Sequence, residues 1–155
     1  FNWQREAVTA GYNLRMSGIL AGLGIVQLKK IDQMNEQRRN HAKYLSDNLS
    51  SDIKTPIETD KCRHVYQMYT IKVRGEIRNE LVEELKKNGI GASVHFSPAV
   101  HQQEYYKHYS KDNLPNTEKL AQDIITLPMF PDLTKDDLDY IINQTNIIYK
   151  KLNNN

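Results

Sequence analysis

From Ser17 onward the apolar positions fall on a helical period. Leu20, Leu23, Ile31, Met34, Ala42, Leu45 and Leu49 recur at intervals of three or four residues or their sums, with Gln27 as the polar exception. A 3.6-residue repeat of this kind predicts one face of an amphipathic helix. Ser17, just ahead of the first periodic residue, is an N-cap type. A single helix over 17–49 is longer than an ordinary globular helix, so the element is expected to kink or to bridge two bodies of structure. Gly18, Gly22 and Gly24 crowd its first turns, where each interior glycine costs up to about 1 kcal/mol relative to alanine. That predicts either a close approach at this end or a break in the helix there.

Further along, the period changes. Residues 52–60, with Pro56, read as a connector. Val65 to Val73 is rich in β-branched and aromatic residues and predicts a strand. Ile77, Leu81, Val82 and Leu85 then mark a helical face, with Glu76 and Glu80 early, Lys86 and Lys87 late, and Gly89 as the stop. Ile90 to Phe96 returns to strand character. The run of strand (65–73), helix (76–88) and strand (90–96) has short connections and predicts one compact α/β unit. Two short helices are expected over 102–109 and 116–125, the second opened by Pro115. Thr126 to Pro131 is expected to be extended, because a residue before proline is pushed out of the α region. Thr134 with Asp137 forms a Thr-x-x-Asp cap, and Leu138, Ile141, Ile142, Thr145, Ile148 and Leu152 supply the inner face of a terminal helix.

Composition narrows the function classes. The 155 residues carry 21 Lys+Arg against 19 Asp+Glu, a net charge of +2, without the basic stripe that nucleic-acid binding requires. Lys29-Lys30, Arg38-Arg39 and Lys150-Lys151 read as solvated helix faces. The single cysteine, Cys62, excludes a disulfide framework and a cysteine zinc cluster. Lys61 and Arg63 flank it and would favour its thiolate, yet it sits in a connector without a motif, so an incidental thiol is the stronger reading. The uncharged stretch from Met16 to Leu28 is shorter than the roughly 18 apolar residues of a membrane span. The opening Phe1-Asn2-Trp3-Gln4 has no initiator Met and no signal-peptide pattern, so the chain reads as a piece of a longer protein.

Candidate chemistry is sparse. His95 and His101 flank Pro98, and His108 follows. A metal site is one reading, but there is no HExxH and no companion cysteine. Hydrogen bonding to a polar ligand at a strand end suits His95 and His101 better, and for His41 and His108 plain surface histidines remain the preferred reading. Ser17 and Ser97 lack a nucleophile elbow. Gly18, Gly22 and Gly24 lack the Gly-Lys-Ser/Thr of a phosphate loop and no strand precedes them, so helix packing explains them more simply.

Taken together, Gly11-Tyr12-Asn13-Leu14-Arg15-Met16-Ser17, the following Ala21-Gly22-Leu23-Gly24 with Gln27-Leu28, and Arg38-Arg39 resemble a signature of the DegT/DnrJ/EryC1/StrS family. These are pyridoxal-phosphate (PLP) dependent aminotransferases of fold type I that act on keto sugars attached to nucleotides. Later pieces follow in order: His64, Tyr66 and Tyr69, then Val94-His95-Phe96 with Pro98 and His101, then Leu127-Pro128-Met129-Phe130-Pro131. The combination covers nearly the whole chain and is what makes the resemblance specific. It implies the C-terminal portion of such an enzyme. In domains, residues 1–16 are a remnant of the large-domain or interface loop, 17–50 the long connecting helix, and 51–155 the small C-terminal α/β (α+β) domain.

The resemblance further implies that the Schiff-base lysine lies upstream. It would precede the Gly-Tyr-Asn segment, and Lys29 and Lys30 stand at the wrong place. Asn13 occupies the position whose amide reaches across a homodimer to the PLP phosphate of the other subunit. Arg15 matches an arginine that meets either the anionic substrate or, equally, an interface salt bridge. His95 and His101 match positions near the nucleotide-sugar site. Leu14 stands where an aromatic is common. The parent would be a cytoplasmic homodimer working on a nucleotide-sugar substrate and an amino acid donor in cell-surface polysaccharide biosynthesis, while the chain alone would bind no PLP and be inactive. No nucleic-acid or membrane partner is expected. The alternatives are a non-catalytic regulatory or ligand-binding α/β module, since fold does not fix function, and a relative whose lysine is replaced. A regulatory DNA-binding role would need a basic recognition helix, which is missing.

Overall fold

The computed structural model describes residues 6, 8–109 and 113–154. Two compact units divide the chain, Phe1–Asp32 and Gln33–Asn155. In the first, the described residues ahead of Ser17 take no regular element, and one tight hydrogen bond from Leu14 N–H to the Tyr12 carbonyl (3.1 Å) bends the chain around Asn13. Helix α1 (Gly18–Leu28) follows. Ser17 caps it as expected, its Oγ accepting from Leu20 N–H at 3.3 Å.

The long helix is broken, but not at its glycines. Among the described residues nothing approaches within 4 Å of a Cβ placed on Gly18, Gly22 or Gly24, so neither half of the glycine expectation holds. The interruption falls at Lys29 and Lys30, where Lys30 N–H tightens onto the Gln27 carbonyl (3.0 Å) before α2 (Ile31–Asn48) begins. No proline or glycine stands there. What changes is composition, from an α1 that is apolar on every side to an α2 rich in charge. Every residue of α1 stays out of the core, Ile19 being 86% exposed.

The second unit is built around a small antiparallel sheet. Strand β1 (Tyr69–Lys72) pairs with β2 (Ile124–Leu127), with Tyr69 opposite Leu127 and Lys72 opposite Ile124. Between them in sequence lie α3 (Gly75–Lys87) and α4 (Pro115–Asp123), and α5 (Lys135–Asn153) closes the unit. Single bridges extend the sheet at each side, Lys54 to Lys72 and Ser93 to Thr126. The core gathers Ala42 and Leu45 of α2, Tyr69 and Ile71 of β1, Leu81 and Leu85 of α3, Ile125 and Leu127 of β2, and the inner face of α5. Burial pushes the Tyr69 phenol up to about 12, against the hydrogen bond it shares with Ser46 Oγ at 2.8 Å.

The sheet differs from the one expected. Val65 to Met68 stay out of it because Tyr66 takes a left-handed backbone (φ 47°) and its N–H turns back to His64 Nδ1. Residues 90–96 form no strand: Ala92 N–H folds back on the Ile90 carbonyl (2.7 Å), leaving Ser93 alone to bridge Thr126. The second strand comes instead from residues 124–127, which the sequence divided between a helix and a proline-rich segment. Helix α4 stops at Asp123 because Ile124 takes an extended backbone (ψ 143°). The helix expected over 102–109 is a 3₁₀ turn (Val100–Gln102) followed by turns closed mainly by i to i+3 bonds.

The capping predictions are met. Gly89 (φ 74°) donates to the Lys86 carbonyl and Ile90 N–H to that of Leu85, both at 2.9 Å, which is the Schellman arrangement that satisfies the last carbonyls of α3. Thr134 and Asp137 form a reciprocal capping box at the start of α5, and all six residues expected on its inner face are buried.

Candidate functional site

The histidines of the 95–101 segment converge on one cavity. An open cavity of ≈ 660 Å³ is walled by His95, Phe96 and His101 from the segment after α3, by Tyr106 and Tyr109 from the turns beyond it, by Leu120 of α4 and by Ile124 at the start of β2. Local folding places each wall. Ser93 is fixed to the sheet by its two hydrogen bonds with Thr126, and its Oγ lies 3.2 Å from His95 Nδ1. His95 and Phe96 meet edge to face (5.5 Å between centroids). Gln102 Oε1 accepts from Ala99 N–H and holds the 3₁₀ turn that carries His101. Beyond it Tyr106 and Tyr109 (6.5 Å) and His108 and Tyr109 (4.0 Å) form an aromatic ladder.

One hydrogen bond ties this wall to α4. His101 Nε2 lies 3.0 Å from Glu118 Oε1, with side chains only 13% and 28% exposed. The same carboxylate oxygen accepts from Leu114 N–H, so it caps the first turn of α4 while it holds the ring. The His101 hydrogen bond, aided by that N–H, keeps the Glu118 carboxyl below the usual carboxylate range.

Asn13 and Arg15 belong to the other compact unit. Both are exposed, and neither side chain is hydrogen-bonded or ion-paired within the described residues. The structure therefore brings His95 and His101 together, and describes Asn13 and Arg15 as projecting groups on the irregular segment before α1. His41 is not a free surface group, since its Nε2 meets the Pro131 carbonyl at 2.9 Å. His108 stays exposed on the aromatic ladder, as expected. Among the described residues no group of three His, Cys, Asp or Glu side chains is arranged to hold a metal ion, and Cys62 is an exposed free thiol. No helix of the described residues is long and apolar enough to cross a membrane.

Sequence reasoning missed Tyr106, Tyr109 and Glu118 as parts of this site. The aromatic run Tyr105-Tyr106-Lys107-His108-Tyr109 was the available signal, masked by its helical spacing. Glu118 reads in sequence only as a first-turn acid.

A chain of this architecture, with an apolar cavity edged by two histidines, can grip a ring-bearing polar ligand by stacking and by imidazole hydrogen bonds. The family is settled by comparison: the model of the DegT/DnrJ/EryC1/StrS aminotransferase family matches residues 2–146. The chain belongs to this family. The uncharacterized protein MJ1066 of Methanocaldococcus jannaschii is 34% identical over 151 residues, 92% of this chain and 39% of the relative. A DegT/DnrJ/EryC1/StrS aminotransferase from Brucella abortus superimposes with a TM-score of 0.86 at 30% identity, over 94% of this chain and 39% of that one. The PLP form of the sugar aminotransferase Spr1654 from Streptococcus pneumoniae gives 0.87 at 29% identity, over 97% of this chain and 40% of that one. The chain thus spans about two fifths of the length of these relatives.

Proposed function

We propose that this chain supplies the C-terminal portion of a PLP-dependent aminotransferase that moves an amino group from an amino acid donor to a keto sugar carried on a nucleotide. The reading rests first on the family match over residues 2–146, and the sugar aminotransferase and PLP form among the relatives agree with it. The parent works as a cytoplasmic homodimer that makes amino sugars for cell-surface polysaccharide, and the Schiff-base lysine belongs to a part of the subunit that precedes Asn13.

PLP fits the residues on hand only in part. The Asn13 amide has no acceptor among the described residues, so its two N–H groups are available to a phosphate oxygen. No lysine stands between Glu6 and Leu28, so this chain holds the phosphate and not the aldehyde carbon. When bound, PLP supplies the electron sink for the amino transfer.

The chain's own residues bind and orient. Arg15 offers a fork of donors to a diphosphate. His95 and His101 hydrogen-bond the hydroxyls of the sugar, while Phe96, Tyr106 and Tyr109 give its ring and the nucleobase apolar faces to pack on. The isolated chain is inactive, because it cannot anchor the cofactor covalently.

The deciding experiment uses the full-length protein, incubated with PLP, reduced with borohydride and digested. A PLP adduct on one lysine upstream of Asn13, together with weaker PLP retention by Asn13→Ala, is the expected result. No reducible adduct would overturn the aminotransferase reading and leave a ligand-binding module.

A further inference from the structure

The His101–Glu118 pair has a chemical asymmetry. Held below the usual range by its own hydrogen bonds, the Glu118 carboxyl is ionised at neutral pH and can only accept. Nε2, 3.0 Å from Oε1, must therefore carry the proton. In the neutral ring this leaves Nδ1 with its lone pair, and Nδ1 has no hydrogen-bond partner among the described residues. The ring cannot readily reorient, since it is 87% covered and its carrier turn is pinned by Gln102. Glu118 cannot drift either, because Leu114 N–H holds the same oxygen.

We infer that Glu118 is a positioning residue for the substrate pocket: by accepting from Nε2–H it fixes His101 as an Nδ1 acceptor facing a donor hydroxyl of the bound sugar. The inference rests on the nucleotide-sugar reading and goes beyond it, because it assigns the polarity of one contact. A carboxylate that orients an imidazole from outside a binding site sets which ring nitrogen is the acceptor. The pocket then selects ligands that offer O–H at that point over ligands that offer only an acceptor, such as a ketone or methoxy oxygen. A mismatched acceptor would face a lone pair in a largely apolar cavity, at the cost of an unmade hydrogen bond.

Glu118→Gln is the informative variant. Because Oε1 serves both Nε2 and Leu114 N–H, Gln can offer that shared place either its carbonyl or, at the cost of the Leu114 bond, its NH₂, and it lacks the charge that makes the carboxylate a strong acceptor, so the ring loses its fixed polarity while Pro115 still opens α4. Two readouts are taken on the full-length protein, with His101 resonances assigned by their loss in His101→Gln. In nitrogen-15 histidine spectra the wild-type neutral ring should be the Nε2–H tautomer, and in Glu118→Gln it should shift toward a mixture. In kinetics with the keto sugar nucleotide that the wild type turns over, Glu118→Gln should raise KM about tenfold and leave kcat within about twofold. The double variant Glu118→Gln/His101→Gln should be no worse than His101→Gln alone.

An Nδ1–H tautomer in the wild type, or an unchanged KM in an active Glu118→Gln enzyme, overturns the inference. So does a double variant whose losses simply add. If no keto sugar nucleotide is turned over by the wild type, the substrate reading fails by itself, and the nitrogen spectra still decide whether Glu118 sets the ring.

Discussion

At the scale of single residues, two caps carry testable weight. Thr134 Oγ1 accepts from Asp137 N–H and the Asp137 carboxylate accepts from Thr134 N–H. Thr134→Ala should cost about 1 kcal/mol, read as a lower urea midpoint with an unchanged slope. The Thr134 hydroxyl, and then its backbone N–H, hold the Asp137 carboxyl below its usual value. A depressed folded pKa contributes stability that is fully present above the unfolded value, near 4, and is lost as pH falls through the folded one. The deficit of Thr134→Ala should therefore be full at pH 7 and shrink below about pH 4. Gly89 sits at φ 74° with open space where a Cβ would go, so Gly89→Ala should cost about 1–2 kcal/mol from backbone conformation alone, measured by the same unfolding curve. Both caps were legible, because each places its chemistry within three or four residues of a periodic run. The His101–Glu118 pair was not, because its partners are separated by a segment of turns that reads as a helix. Arg78 also escaped notice: a charged residue buried on the inner face of α3 looks in sequence like a solvent position.

Elements were legible in proportion to the length of their repeat. Helices α3 and α5 each present several apolar turns plus start and stop signals, and both came out within a residue or two of expectation. Strand β2 failed this test, since Ile124 and Ile125 continue the helical spacing of Leu120 and Ala121, and only the tertiary pairing with β1 draws them into a ladder. Between elements, one cluster fixes a connector that has no periodicity. Arg39 of α2 forms an ion pair with Glu58 and donates to the His64 carbonyl at 2.8 Å, Glu58 accepts from His64 N–H at 2.9 Å, and Arg63 reaches Glu36. These groups are partly exposed, so solvent screening leaves them little worth to global stability. Arg39→Met should accordingly leave the unfolding midpoint nearly unchanged while amide exchange at Cys62 and His64 quickens. Equal exchange in both proteins would mean that the connector holds its shape without the arginine.

For the whole molecule, the core lies entirely in the unit Gln33–Asn155, from Ala42 to Leu152, while α1 leaves Ile19, Leu20, Leu23, Ile25 and Leu28 more than half exposed. An apolar surface of this extent promotes association. The 155-residue chain should show concentration-dependent self-association by sedimentation, and a version starting at Gln33 should be monomeric with the same near-ultraviolet signature of the packed Tyr69 core. A version from Gln33 that unfolds would show that the first unit supports the second. The closure of the core also has an order in time. Thr70 waits for Thr126, α2 waits for Asp139 and Asn146 of α5, through Tyr44, Ser50 and Asn48, and α5 leaves the ribosome after all of these partners. Until β2 and α5 are made, β1 has no partner and the core face of α2 has no cover. Helix α5 thus acts as a latch on the nascent chain, and slowing synthesis should lengthen the interval in which that chain needs a chaperone.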